Sequence, residues 1–243
     1  MTKSTEYFNT FLTAEWKYLA MVNYIIDPKI LLPYLPAGTE LDKWNGNSFV
    51  SLVGFRFENT KIKGISIPFH TNFEEINLRF YVKRKSEGQW RRGVVFIKEI
   101  VPKKMIAFIA NNLYNEKYIV LKTKSELKFE NSSPSQIKYL WKVNNNWNYI
   151  YISLDKEKKE LLTESQEEFI SENYWGYSTG NGITTEYRVE HPRWKYWNSV
   201  HTEIEVDIEI LYESEFIETL SSKPHSAFLA EGSEVTVSHG KRI

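Results

Sequence analysis

From Glu203 to Ile210, the acidic residues Glu203, Glu205, Asp207 and Glu209 alternate with Ile204, Val206, Ile208 and Ile210. A period of two sends successive side chains to opposite faces of an extended backbone, so this stretch predicts a strand with one wet face. Similar runs recur along the chain. "YLAMVNYII" reads as a buried strand, and "ELDKWNGNSFVSLVGFRFEN" as a hairpin turning at Asn45-Gly46. "NFEEINLRFYVKR" and "RRGVVFIKEIV" form a second hairpin around "KSEGQW". Further strands are expected at "IVLKTKSELKFE", "QIKYLWKV", "WNYIYISL", "ITTEYRVEH" and "SEVTVS". The 8 Trp, 15 Tyr and 14 Phe fit this reading, because aromatic side chains suit pleated, half-buried surfaces.

Helix signals are few. Asp27 caps a short helix that starts at Pro28 and is kept to a turn or two by Pro33 and Pro36. Pro102 opens "KKMIAFIANNLY", which is apolar almost all round and is expected to be buried. "TESQEEFISEN" carries a capping box, Thr163 with Gln166. No internal repeat or linker divides the chain. The expected fold class is mainly β (β-rich α+β): one antiparallel domain over residues 1–243 with two or three short helices.

Composition removes several functions. Zero cysteines exclude disulfides, thiolate metal sites and cysteine nucleophiles. With 31 basic and 31 acidic residues there is no cationic excess to displace counterions, so no nucleic-acid partner is expected. No apolar run approaches ~18 residues, and "MTKSTEYFNTFLTAEWK" lacks the apolar core of a signal peptide. The expectation is a cytoplasmic protein with no membrane partner. His70, His191, His201, His225 and His239 show no metal-ligand spacing, so neither a metal nor another cofactor is expected. "STGNG" (178–182) reads as a turn, and "HPRWKYW" (191–197) as aromatic packing at a sheet corner.

Several segments spread over the chain carry a family resemblance. They include "NYIIDPKILLPYLPAGTELD", "FEEINLRFYV", "GVVFIKEIVPKK", "LYNEKY", "NYWGYSTGNGITTEYRVEHPRW" and "AFLAEGSEVTVSHGKRI". On these the chain resembles the YqjF-like family of uncharacterised conserved proteins. That family in turn is similar in fold to acetoacetate decarboxylase, which implies a cone-shaped antiparallel β-barrel with a small-molecule cavity. In the decarboxylases a Pro-Lys-Lys segment follows a glutamate, and one lysine forms a Schiff base while its neighbour's charge lowers its pKa. Glu99, Pro102, Lys103 and Lys104 match those residue types, with Ile100-Val101 in place of a longer stretch containing glycine.

Two candidate sites follow. Lys103 and Lys104, at the start of an apolar helix, are the catalytic candidates together with Glu99. Desolvation, a second cation and the helix dipole all favour the neutral amine that attacks a carbonyl. The plainer reading has both lysines reaching solvent over apolar stems. In "FEEINLRFYV", Ile76, Leu78, Phe80 and Val82 share one face and Glu75, Asn77, Arg79 and Tyr81 the other. An open sheet leaves that second face wet, whereas a closed one turns it into a cavity wall. The resemblance then implies a ligand-binding role for these four, with Arg79 neutralising a carboxylate through its planar fork. Glu75 and Arg79, four residues apart, are separated by about 13 Å and cannot pair.

Three functions are consistent with these residues. The first is a barrel binding a small carboxylate or carbonyl ligand. The second is a Schiff-base lyase acting on a keto acid. The third is a protein-interaction module, whose mark is an exposed apolar patch.

Overall fold

The computed structural model describes residues 9–243. The first eight residues of the stretch read above for a signal peptide lie outside the described residues. Fourteen strands follow one another among the described residues. They are β1 (Thr10–Ile26), β2 (Glu40–Leu41), β3 (Ser48–Ile62), β4 (Phe73–Ser86), β5 (Gln89–Val101), β6 (Tyr118–Val120) and β7 (Thr123–Glu130). The second half holds β8 (Ser133–Val143), β9 (Asn146–Leu154), β10 (Trp175–Gly180), β11 (Ile183–Glu190), β12 (Tyr196–Glu205), β13 (Ser226–Ser238) and β14 (Lys241–Arg242). The helices are α1 (Pro28–Leu31), α2 (Lys104–Tyr114), α3 (Gln166–Ser171), α4 (Ile208–Leu211) and α5 (Ile217–Ser221).

The protein is mainly β, as its alternation requires. Pairing runs β11–β10–β5–β4–β3–β1–β13, and β13 also pairs with β11, so the path returns to its start. Every neighbour in this circuit is antiparallel except β10 with β5, and β6 also joins β5 in parallel. Strands β7, β8, β9 and β12 form a second layer reached through β13. That layer packs Tyr139, Trp141, Ile150 and Ile152 onto the outer faces of β1, β3 and β4. The two layers meet closely at Gly54, where a Cβ would stand 2.8 Å from the Tyr139 ring. Inside the circuit lies a second apolar cluster that includes Met21, Val53, Phe55, Phe73 and Val94.

Local signals explain much of this. The Asp27 side chain accepts from the Lys29 N–H at 2.9 Å, capping α1 with Pro28 in its first turn. The hairpin turns at Asn45-Gly46, Glu87-Gly88 and Asn181-Gly182 all place both central residues at positive φ. This is the type I′ signature that matches strand twist.

Several expectations change. Five α-helices form among the described residues, not two or three. Glu40-Leu41 pairs with Lys83 and Val82 of β4 rather than closing a hairpin with β3. The cap of α3 is Ser165, whose hydroxyl accepts from the Glu168 N–H at 3.1 Å, so the capping box lies two residues beyond Thr163. In the acidic alternation the strand ends at Glu205 and Ile208–Leu211 turns into α4. Asn148 causes the break, because its amide takes the Asp207 N–H at 2.5 Å and donates to the Asp207 carboxylate at 3.1 Å. Helix α2 is not buried all round: Ile106, Ala107 and Tyr114 face inward, but Met105, Phe108 and Leu113 are exposed. Finally, residues 178–180 of the stretch expected to turn belong to β10, and only Asn181-Gly182 turns.

Candidate functional site

Both faces of β4 are buried. Ile76, Leu78, Phe80 and Val82 enter the core between the layers. Glu75, Asn77, Arg79 and Tyr81 point into the circuit and are also inaccessible, with exposures of 2%, 1%, 8% and 1%. The wet-face reading therefore fails. The first three line a cavity that offers about 120 Å³ to the centres of water-sized molecules. That is on the scale of the ~150 Å³ apolar void that accepts benzene. Tyr81 stands beside the cavity rather than on its wall: its hydroxyl donates to Ser51 Oγ at 2.6 Å, and Ser51 donates to Asn23 Oδ1 at 2.6 Å.

A β-bulge shapes the opposite wall. The β4–β5 register shifts between Leu78 and Arg79, so Asn77 faces Glu99 while Arg79 faces Phe96. Residues three apart normally occupy opposite faces of a strand. The extra residue lets Phe96 and Glu99 both line the cavity. Apolar rings complete the wall, among them Trp16, Phe55, Phe57 and Phe73, with Phe57 and Phe73 stacked at 4.7 Å.

Three carboxyls share one end of the cavity. The segment that leaves α2 through Asn115, which is left-handed at φ 54, brings Glu116 and Tyr118 against Glu99. Asn111 fixes that return, accepting from the Tyr118 N–H at 2.7 Å and donating to the Tyr118 carbonyl at 2.9 Å. Glu75 accepts from Tyr118 Oη at 2.9 Å and from Asn77 Nδ2 at 3.0 Å. Glu116 accepts from Tyr187 Oη at 2.7 Å. Tyr187 owes its place to Gly176, where a Cβ would stand 2.0 Å from the ring.

Burial dominates the electrostatics. It raises Glu75 to about 7 against the pull of its two donors and Arg79, and Glu116 to about 8. Glu99 is pushed well above the usual carboxylate range by burial and then by the Glu116 and Glu75 charges. Glu99 hydrogen-bonds Glu116, and two adjacent buried carboxyls hold a proton between them. Among the described residues, Arg79 has no carboxylate within ion-pair distance; its guanidinium donates to the Ile170 carbonyl at 3.2 Å, and Nε is unpaired. Asn77 Oδ1, Glu99 Oε2 and Asn173 Oδ1, all on the cavity lining, also lack partners. Among the described residues no group of three His, Asp or Glu is arranged to hold a metal ion.

The lysines sit elsewhere. Lys103 stands at the N-cap position of α2 without a side-chain capping bond and is half-buried, Lys104 is exposed, and neither is on the cavity lining. Glu99 is thus brought together with Glu75, Asn77 and Arg79, and the lysines are not. Sequence reasoning missed Glu116, Tyr118 and Tyr187. "LYNEKY" carried a signal only in Asn115, a residue type suited to the left-handed end of a helix. The aromatic cluster 191–197 packs as expected: Trp194 and Trp197 are buried, and His191 stacks on Trp194 at 4.0 Å and on Tyr174 at 4.8 Å.

Among known structures, this architecture is similar to that of acetoacetate decarboxylase from Legionella pneumophila, with a TM-score of 0.66 at 14% identity, covering 100% of this chain and 92% of that one. The enduracididine biosynthesis enzyme MppR complexed with pyruvate superposes with a TM-score of 0.68 at 10% identity, over 99% of this chain and 93% of that one. An acetoacetate decarboxylase-like enzyme from Sphingomonas wittichii gives 0.64 at 12% identity, over 97% and 94%. These likenesses establish the acetoacetate decarboxylase-like fold. In sequence, the chain is 22% identical over 213 residues to the uncharacterized protein YqjF of Bacillus subtilis, covering 86% of this chain and 83% of that protein. A family model matches residues 13–234, and the chain belongs to that family, DUF2071, described as an uncharacterized conserved protein.

Proposed function

We propose that the strand circuit acts as a small barrel that binds a compact ligand bearing a carboxylate or carbonyl group. The observation that carries this reading is Arg79. A guanidinium that is only 8% exposed, lines a cavity and has no carboxylate partner is a costly arrangement. A ligand carboxylate accepted by the fork, with Nε as one of its donors, offsets that cost. The apolar rings supply the remaining contact for the ligand body. MppR, with a similar fold, has been seen with pyruvate, which is a ligand of this class.

Schiff-base chemistry at Lys103 or Lys104 draws less support. The amine must reach the ligand carbonyl, and an exposed Lys104 beside a half-buried Lys103 leaves that approach unmade. Calorimetric titration with benzoate and with short keto acids tests the binding reading. Binding that weakens tenfold or more in Arg79→Met, with the fold retained by circular dichroism, is expected. Equal affinity in the variant would refute the role of Arg79.

A further inference from the structure

The cavity lining presents two groups of unpaired polar atoms. Around Arg79, where Asn173 shares the Ile170 carbonyl, the Arg79 Nε donor and the Asn173 Oδ1 acceptor are open. Two residues before Arg79 on the same face of β4, Asn77 faces Glu99 across β4 and β5, and each presents an unpaired oxygen, Oδ1 and Oε2. Both residues are at least 98% buried and both line the cavity. Two buried acceptors left open side by side call for a donor, because an unmade hydrogen bond there costs about 1–3 kcal/mol each.

Charge narrows the donor further. Glu75, Glu99 and Glu116 converge here, and among the described residues the cations that act on Glu75 and Glu116 are Arg79 and Lys117. Among the described residues Arg79 makes no ion pair, and Lys117 is exposed and off the cavity lining. Tyr114, Tyr118 and Tyr187 are the other titratable neighbours and stay neutral, their phenols pushed up by burial. Buried carboxyls without an ion-pair partner hold protons instead. We propose that this end of the cavity is a subsite for a protonated primary amine, which donates to Glu99 Oε2 and Asn77 Oδ1 and is charge-matched by the surrounding carboxylates. The Tyr118 and Phe73 rings on the same lining add cation–π attraction. The inference rests on the reading of the cavity as a small-molecule site. It extends the ligand class to amines, and with Arg79 two residues from Asn77 on the same face of β4, to amino carboxylates.

A cation entering the subsite favours the ionised carboxyls, so binding releases protons and tightens as pH rises. The test uses three probes of one shape, benzylamine, benzyl alcohol and benzoate, titrated calorimetrically into the full chain at about pH 6 and about pH 8, where the amine stays charged. The expected result is benzylamine binding at least tenfold tighter than benzyl alcohol and tighter at the higher pH. Its heat should vary with the ionisation enthalpy of the buffer, reporting proton release. Glu99→Gln should weaken benzylamine tenfold or more relative to benzyl alcohol and abolish the dependence of its heat on the buffer. Proton release is measured on the native protein, so a variant that fails to fold does not block the test. Benzyl alcohol binding as tightly as benzylamine, or benzylamine binding without proton release, overturns the proposal. If benzylamine does not bind while benzoate does, the amine subsite is lost and the Arg79 reading survives. If benzoate alone fails, the reverse holds.

Discussion

Replacing Glu116 with Gln removes one ionisable group from the buried cluster and leaves its shape intact. The amide oxygen still accepts from Tyr187, and the amide N–H takes over the hydrogen bond to Glu99. In the native protein Glu116 is raised from 4.5 to about 8. In the unfolded chain it ionises near its ordinary value, so the unfolded state releases a proton over the interval in which the folded state keeps one. Stability is therefore full below about 4.5 and declines as pH rises through about 8. Each tenfold difference in proton affinity is worth ~1.4 kcal/mol, which puts the decline due to Glu116 alone at about 5 kcal/mol. Glu75, raised to about 7 chiefly by burial, acts in the same direction as part of the same interacting cluster.

Glu116→Gln abolishes its own part of that slope and eases ionisation of Glu99 and Glu75, both of which feel the Glu116 charge directly or through the cluster. Urea unfolding followed by circular dichroism at several pH values from about 5 to about 9 measures the effect. The variant should match the native protein within ~1 kcal/mol at the acid end and exceed it by at least about 2 kcal/mol at the alkaline end. Equal slopes for the two proteins, or a native protein whose stability rises across this range, would refute the burial argument.

Gly176→Ala places a methyl group where the Tyr187 ring stands, between paired strands that cannot separate. A loss of about 1–3 kcal/mol in urea unfolding is expected, together with displacement of the Tyr187 hydroxyl from Glu116. Lys103→Ala and Lys104→Ala should each leave stability within ~0.5 kcal/mol and benzoate affinity unchanged. Borohydride treatment with acetoacetate or pyruvate should add no mass to the peptide spanning the two lysines, and an adduct there would restore the Schiff-base mechanism. His191, held at about 4 by burial between Tyr174 and Trp194, should titrate in NMR far below an ordinary histidine. Its contribution to stability is complete above about 6.5 and is lost as pH falls through about 4.

What the sequence made legible was whatever local chemistry decides. Period two divided β4 correctly into its two faces, and the Glu87-Gly88 turn set the hairpin that pairs it with β5. The fate of the polar face was not local. "FEEINLRFYV" is compatible with water on one side until β13 pairs with both β1 and β11, strands far apart in sequence, and encloses Glu75, Asn77 and Arg79. The acidic alternation after Glu203 failed for the same reason. Its pattern is that of a strand throughout, but Asn148, 59 residues away, captures Asp207 and bends the chain into α4.

The lysine pair shows the limit of carrying chemistry across by residue type. Glu99 and Lys103 lie four residues apart, and the fold sends them to different environments. The bulge opposite Arg79 turns Glu99 inward, whereas Pro102 ends β5 and starts a helix whose first residues face out. What fills the space near Glu99 is the return from α2. Asn115 adopts the left-handed conformation, and Glu116 and Tyr118 arrive at the place where two carboxyls were already buried. A third carboxyl there is unfavourable for folding on its own, since each ionised group must be desolvated without a cation. Hydrophobic residues of the same size would pack that end at lower cost. The chain instead carries a polar cluster there, with open acceptors and with Arg79 on the same lining making no ion pair among the described residues. Those features are uneconomical in a packed core, and the proposed charged ligand is what would offset their cost.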